Sequence, residues 1–85
     1  MATDFTKGQF NVYAGHGPTA ELIGRIDEDE FVRNKSGQLL YRIDGTEVYT
    51  AGIGAKYIGE ILEAEGGRSI VVGPNHIAVL TIDPE

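Results

Sequence analysis

The chain has no cysteine, no tryptophan, only three prolines, and only seven lysines and arginines among its 85 residues. Without cysteine there is no disulfide framework and no thiolate site for zinc or an iron–sulfur cluster. The few cations are scattered, at Lys7, Arg25, Arg33, Lys35, Arg42, Lys56 and Arg68, and 13 acidic residues outweigh them to a net charge of −6. Phosphate-backbone binding draws on a clustered basic face, so direct nucleic-acid binding is not expected, and neither is an anionic membrane surface. The longest apolar runs are four to five residues, against roughly 20 for a bilayer span. The first residues carry no charged segment followed by an apolar stretch, so no signal peptide is expected and cytoplasmic residence is the default.

What is present reads as strand and turn. Hydrophobic residues make up 41% and charged residues 24% of the chain, a globular composition. Its length predicts one domain, residues 1–85. Short clusters rich in Val, Ile, Tyr and Phe alternate with Gly, Asn and Asp. They predict strands near 9–14, 20–26, 30–34, 38–43, 46–50, 56–62, 68–72 and 76–82. Asp44-Gly45 is the strongest turn signal, read as the central pair of a type I′ hairpin turn.

Four segments align: Leu22-Ile23-Gly24-Arg25-Ile26-Asp27, Leu39-Leu40-Tyr41-Arg42-Ile43-Asp44, Tyr57-Ile58-Gly59-Glu60-Ile61-Leu62 and Ala78-Val79-Leu80-Thr81-Ile82-Asp83. The fifth position is always Ile, the second always aliphatic, the fourth always polar. Three segments are followed by a turn and a second strand. The fourth, ending at Ile82, has its partner at the other end of the chain, in Phe10-Asn11-Val12-Tyr13. The expected fold is therefore all-β: four β-hairpin repeats closed into a small barrel or flower, the last hairpin built from the N- and C-terminal strands. Closure leaves no free sheet edge.

Strict alternation puts Leu22/Gly24/Ile26, Leu39/Tyr41/Ile43, Tyr57/Gly59/Ile61 and Ala78/Leu80/Ile82 on the core face. Tyr41 and Tyr57 are expected to pack over the two glycines. The other face carries Ile23, Leu40, Ile58 and Val79 beside Arg25, Arg42, Glu60 and Thr81. That ring, with Arg25 and Arg42, is the expected interaction surface.

The repeat, best seen over Gln-Leu-Leu-Tyr-Arg-Ile-Asp-Gly-Thr-Glu-Val-Tyr-Thr-Ala-Gly-Ile-Gly at residues 38–54, resembles the bacterial four-fold β-flower proteins. Those are small chains of four similar hairpins about a pseudo-fourfold axis. The resemblance covers about half the chain, implies that architecture in a small bacterial or phage protein, and transfers no catalytic residue.

Motifs for chemistry are sparse. Gly15-His16-Gly17-Pro18-Thr19-Ala20 matches a dinucleotide-loop variant, but a strand-like segment follows where a helix is required. His16 and His76 fall in alternate turns and are expected at one end, where a metal site still requires a third ligand. The acidic run at 27–30 lacks the glycine of a calcium loop and reads as an exposed turn. Tyr13, Tyr41, Tyr49 and Tyr57 are good strand residues as well as a conceivable aromatic face. No cofactor is expected. The leading functional expectation is a non-catalytic binding or assembly module that contacts a protein partner or a second copy as a homodimer. Alternatives are an acidic inhibitor that mimics nucleic acid, and a small metal-dependent enzyme.

Overall fold

The structure is a computed structural model that describes residues 4–85. Eight antiparallel strands, each hydrogen-bonded to the next, close into a barrel: β1 (Gln9–Ala14), β2 (Glu21–Asp27), β3 (Phe31–Arg33), β4 (Leu39–Asp44), β5 (Glu47–Thr50), β6 (Tyr57–Glu63), β7 (Ser69–Val72) and β8 (Ala78–Pro84). The terminal strands pair as the repeat requires, with Val12 opposite Ile82 and Ala14 opposite Leu80. Among the described residues no helix is long and apolar enough to cross a membrane.

Two rings of side chains fill the barrel. Ile26, Ile43, Ile61 and Ile82 form one, as the alignment predicts. Val12, Val32, Val48 and Val71 form the other, each at most 1% exposed. The valines sit on the short return strands, which the Ile-centred alignment does not cover. At one end a single 3-10 turn, Phe5–Lys7, lays Phe5 edge-on against Phe10 with ring centroids 4.9 Å apart. The Asp4 carboxylate caps that turn at the backbone N–H of Thr6. Hydrogen bonds from the Thr6 hydroxyl and backbone N–H hold the Asp4 carboxyl below the usual carboxylate range.

The alternation rule holds in only part of each even-numbered strand. Each pairing of an odd strand with the even strand that follows it slips register once, immediately after a buried valine: Val12/Tyr13, Val32/Arg33, Val48/Tyr49 and Val71/Val72. The residues passed over on the facing strand are Ile23, Leu40, Ile58 and Val79. A bulge adds one residue and reverses the parity of everything beyond it. So Ile23, Leu40, Ile58 and Val79 do not form an outer ring: they are half-buried, packed against the core, and less buried than the isoleucines. Leu22, Leu39 and Tyr57, expected in the core, are turned out to solvent.

Two further expectations change. Asp44 pairs with Glu47 inside the ladder, so the tight turn is Gly45-Thr46, one residue later than read. Gly45 has φ +66° and Thr46 is not left-handed, the pattern of a type II′ turn. Gly24 and Gly59 do not make room for tyrosine rings. A Cβ on Gly24 would lie 2.5 Å from the Arg33 carbonyl oxygen, and on Gly59 2.4 Å from that of Val72. The neighbouring backbone crosses over each glycine.

These contacts show that the fourfold pattern is doubled twofold. Asn11-Val12-Tyr13 and Glu47-Val48-Tyr49 occupy equivalent registers, as do Leu22–Ile26 and Tyr57–Ile61, Phe31–Lys35 and Ile70–Pro74, and Leu39–Asp44 and Ala78–Asp83. Arg25 opposite Arg33 corresponds to Glu60 opposite Val72.

One buried polar atom is unsatisfied. Ser69 is fully buried and its hydroxyl has no hydrogen-bond partner among the described residues. An unpaired buried hydroxyl costs about 1–3 kcal/mol. Ser69→Ala is expected to raise the thermal midpoint by about 5 °C. An unchanged midpoint would show that the buried hydroxyl carries no net cost, and a lower one that it stabilises the fold.

Candidate functional site

An up-and-down barrel places the loops leaving odd strands at one end and the loops leaving even strands at the other. The odd-strand loops span residues 15–20, 34–38, 51–56 and 73–77, and contain no Asp or Glu. Their ionisable side chains are Lys35, Lys56, His16 and His76. The opposite end carries the acidic run at 27–30, Glu65 and the strand-terminal carboxylates of Asp44, Glu63 and Asp83. The −6 charge is thus polarised along the barrel.

The end whose loops carry no Asp or Glu, with Glu21 at the start of β2 as its strand-terminal carboxylate, is also the apolar end. Leu22 (56% exposed), Leu39 (43%), Tyr57 (43%), Ile77 (59%) and Ile53 (fully exposed) all lie there, and among the described residues only Leu62 of the large exposed hydrophobics lies elsewhere. The bulges produce this crown. By reversing parity they turn Ile23, Leu40 and Ile58 inward to close the mouth, and push Leu22, Leu39 and Tyr57 outward. Tyr57 rests edge-on against Tyr49 at 5.8 Å.

From the crown a groove runs down the seam between β2 and β3. Its upper part, about 440 Å³, is lined by Asn11, Leu22, Ile23, Gly24, Arg25, Arg33, Asn34 and Lys35. A lower part of about 400 Å³ shares Arg25, Arg33, Asn34 and Lys35 and adds the carboxylates of Asp27 and Asp29. Three of the chain's seven cations therefore meet in one place. β2 is laddered to β1 from Glu21 to Asp27 but to β3 only at Arg25, so Leu22–Gly24 has no strand partner on the groove side. Arg25 is tied to Glu85 at 2.8 Å and Arg33 to Asp29 at 2.6 Å, with the Arg33 guanidinium also over the Phe31 ring. Lys35 has no charged partner within reach among the described residues. Its loop is held by Asn34, whose side-chain oxygen accepts the backbone N–H groups of Ser36 and Gln38 at 3.0 Å each.

Of the residues expected at an interaction surface, Ile23 and Arg25 line this groove. Leu40, Ile58 and Val79 are bulge residues packed on the core. Arg42 lies on β4, 3.8 Å from Asp44 and stacked over the Tyr49 ring. Asn11, Leu22, Arg33, Asn34 and Lys35 carry no sequence signal that would group them. Their meeting depends on how β1, β2, β3 and the 34–38 loop come together in the closed sheet, which no local pattern records.

The other motifs resolve simply. His16 and His76 share the crown end, but among the described residues no group of three metal-ligating side chains exists. His16 Nδ1 lies 3.4 Å from the Thr81 hydroxyl, which donates to the Gly15 carbonyl at 2.7 Å. The 15–20 glycine loop leads into β2, not into a helix. In the acidic run, Asp29 is engaged by Arg33 and by the backbone N–H of Phe31.

No protein-family model, no curated protein and no solved structure matches this chain. The internal repeat supplies a control of its own. At the twofold-related seam between β6 and β7, Glu60 stands for Arg25, Val72 for Arg33, Pro74 for Lys35 and Glu47 for Asn11. That seam is laddered at four positions where β2–β3 is laddered at one, and the positions corresponding to Arg25, Arg33 and Lys35 carry no cation there.

Proposed function

We propose that the protein is a non-catalytic assembly module that binds a second copy of itself crown to crown. The observation that supports this reading is the coincidence of the exposed apolar side chains with the end whose loops carry no Asp or Glu, where Glu21 is the one strand-terminal carboxylate among the described residues. Scattered exposed aliphatics are ordinary; a cluster ringed by polar loops has the composition of an interface core and rim. Charge selects the orientation. Two chains of net charge −6 repel wherever their carboxylates approach. Crown-to-crown contact places the acidic poles at opposite ends of a particle whose single barrel already measures 32 × 28 × 27 Å, several times the ~8 Å Debye length at physiological salt. A disc of the barrel's width offers about 570 Å² per partner, at the lower end for a specific interface. A twofold axis through the crown gives a closed dimer and not a filament.

Sedimentation equilibrium tests the reading. A mass that rises with concentration toward twice 9.2 kDa is expected, and Ile53→Asp is expected to return the monomer with its β-sheet spectrum unchanged. Ile53 is fully exposed, so the substitution removes no core packing. Leu40→Asp would not serve, because Leu40 packs on the core. A wild-type mass fixed at the monomer value up to the millimolar range sinks the proposal.

The acidic pole favours one other reading, mimicry of a nucleic-acid backbone. It is weakened by Arg25, Arg33, Arg42 and Arg68, each of which lies within ion-pair distance of a carboxylate.

A further inference from the structure

The four loops of the crown carry one basic side chain each: His16 on 15–20, Lys35 on 34–38, Lys56 on 51–56 and His76 on 73–77. The strand order sets them around the mouth in that sequence, so the two lysine loops are neighbours and the two histidine loops are neighbours. We infer that the dimer locks in one rotational register, each histidine loop over a lysine loop of the other copy, and that protonation of His16 and His76 releases it; this switch rests on the crown-to-crown reading. A twofold axis lying in the contact plane can bring four loops over four in four ways. In one, His16 meets Lys35 and Lys56 meets His76. In each of the others a lysine loop meets a lysine loop, and two ammonium groups repel across the joint.

A neutral imidazole instead offers an ammonium an acceptor nitrogen. His16 is set for that role. The Thr81 hydroxyl donates to the Gly15 carbonyl at 2.7 Å, so the contact at 3.4 Å has His16 Nδ1–H donating to the Thr81 oxygen. Nε2 is then the acceptor, and the nitrogen that takes up a proton, so protonation breaks no bond within the chain. Beside His16, Gly17 and Thr81 share a small cleft with Tyr13, Arg68 and Asp83, the last two paired at 2.6 Å. Glu21 is the carboxylate of this end. His76 stands between the loops of Lys56 and His16. Both histidines are exposed, and among the described residues neither lies within ion-pair distance of a carboxylate. With neutral histidines each crown carries +1, two lysines against Glu21; with both protonated it carries +3. No register then avoids cation over cation. The whole chain changes the other way, from −6 to −4 on the same protonation, which by itself eases association. Weakening on acidification is therefore a signature of the crown.

Sedimentation equilibrium of the full chain at about pH 8 and about pH 5.5, a span that histidine crosses, reads the switch, with circular dichroism confirming the sheet at each pH. The dimer is expected to weaken about tenfold at the lower pH, equivalent to about 1.4 kcal/mol, and by less at high salt. A double variant, His16→Asn with His76→Asn, is expected to hold one affinity at both. Asparagine keeps a donor for Thr81 and tolerates the left-handed backbone of His76, φ +64°. His16→Lys, a permanent charge over Lys35, is expected to weaken the dimer about tenfold already at the higher pH. A wild-type dimer that holds or tightens on acidification, or a double variant that weakens as the wild type does, overturns the switch and leaves crown-to-crown assembly standing. Unchanged affinity of His16→Lys at the higher pH overturns the register. A chain that stays monomeric at both overturns the assembly, and the switch with it.

Discussion

A chain lacking residues 1–14 is expected not to fold. β1 is laddered on both sides, to β2 and to β8. Its removal opens the barrel and leaves two long strand edges unpaired. It also deletes Phe10 and Val12 from the core, together with the Phe5 lid. Truncating one such buried side chain costs about 2–5 kcal/mol, and a whole domain is stable by only about 5–15 kcal/mol. Losing these side chains and two ladders exceeds any stability a chain of this size holds. The expected result is loss of the cooperative thermal transition and of the sheet signal in far-ultraviolet circular dichroism, with aggregation through the opened edges. A cooperative transition retained by the shortened chain would mean that closure is not what holds the fold together.

Adding one methyl group at Gly24 or Gly59 is expected to cost about 3 kcal/mol at each site, the upper range for overpacking. The new Cβ would lie 2.5 Å from the Arg33 carbonyl oxygen in one case and 2.4 Å from that of Val72 in the other. Both obstacles are backbone, which cannot rotate aside as a side-chain tip does. A matched control separates this steric cost from glycine's conformational freedom. Gly37 has φ +86° with nothing within 4 Å of its would-be Cβ, so Gly37→Ala carries only the left-handed backbone penalty, about 1–2 kcal/mol. Urea denaturation of the three variants decides the matter. If Gly59→Ala costs no more than Gly37→Ala, close strand crossing is not the reason glycine stands at 24 and 59.

Much of this barrel is legible along the chain. The recurring isoleucines at 26, 43, 61 and 82 mark four even strands, and the turn residues between them separate the return strands. Leaving Ile82 and Phe10–Tyr13 each without a local partner predicts that the termini pair, as they do. The reading fails where a bulge intervenes. Leu22, Leu39 and Tyr57 are apolar and in phase with the core isoleucines, and only a register slip three residues before each isoleucine turns them outward. No residue type in the chain announces that slip. It arises because eight short strands must coil tightly to close, and an extra residue on every even strand provides the curvature.

Local properties of the polypeptide were therefore decided by sequence alone: the strands, the four hairpin units, the isoleucine ring and the net acidity. Alternation and turn chemistry act over two to six residues, so they can be read without knowing what lies across the barrel. Tertiary structure alone decided which apolar residues became a crown, that acidic and acid-free loops separate to opposite poles, and that Arg25, Arg33 and Lys35 line one groove. The separation of the loops follows from the up-and-down closure; the crown and the groove depend on register between strands, which is settled only when the sheet closes and every strand has two neighbours to satisfy at once.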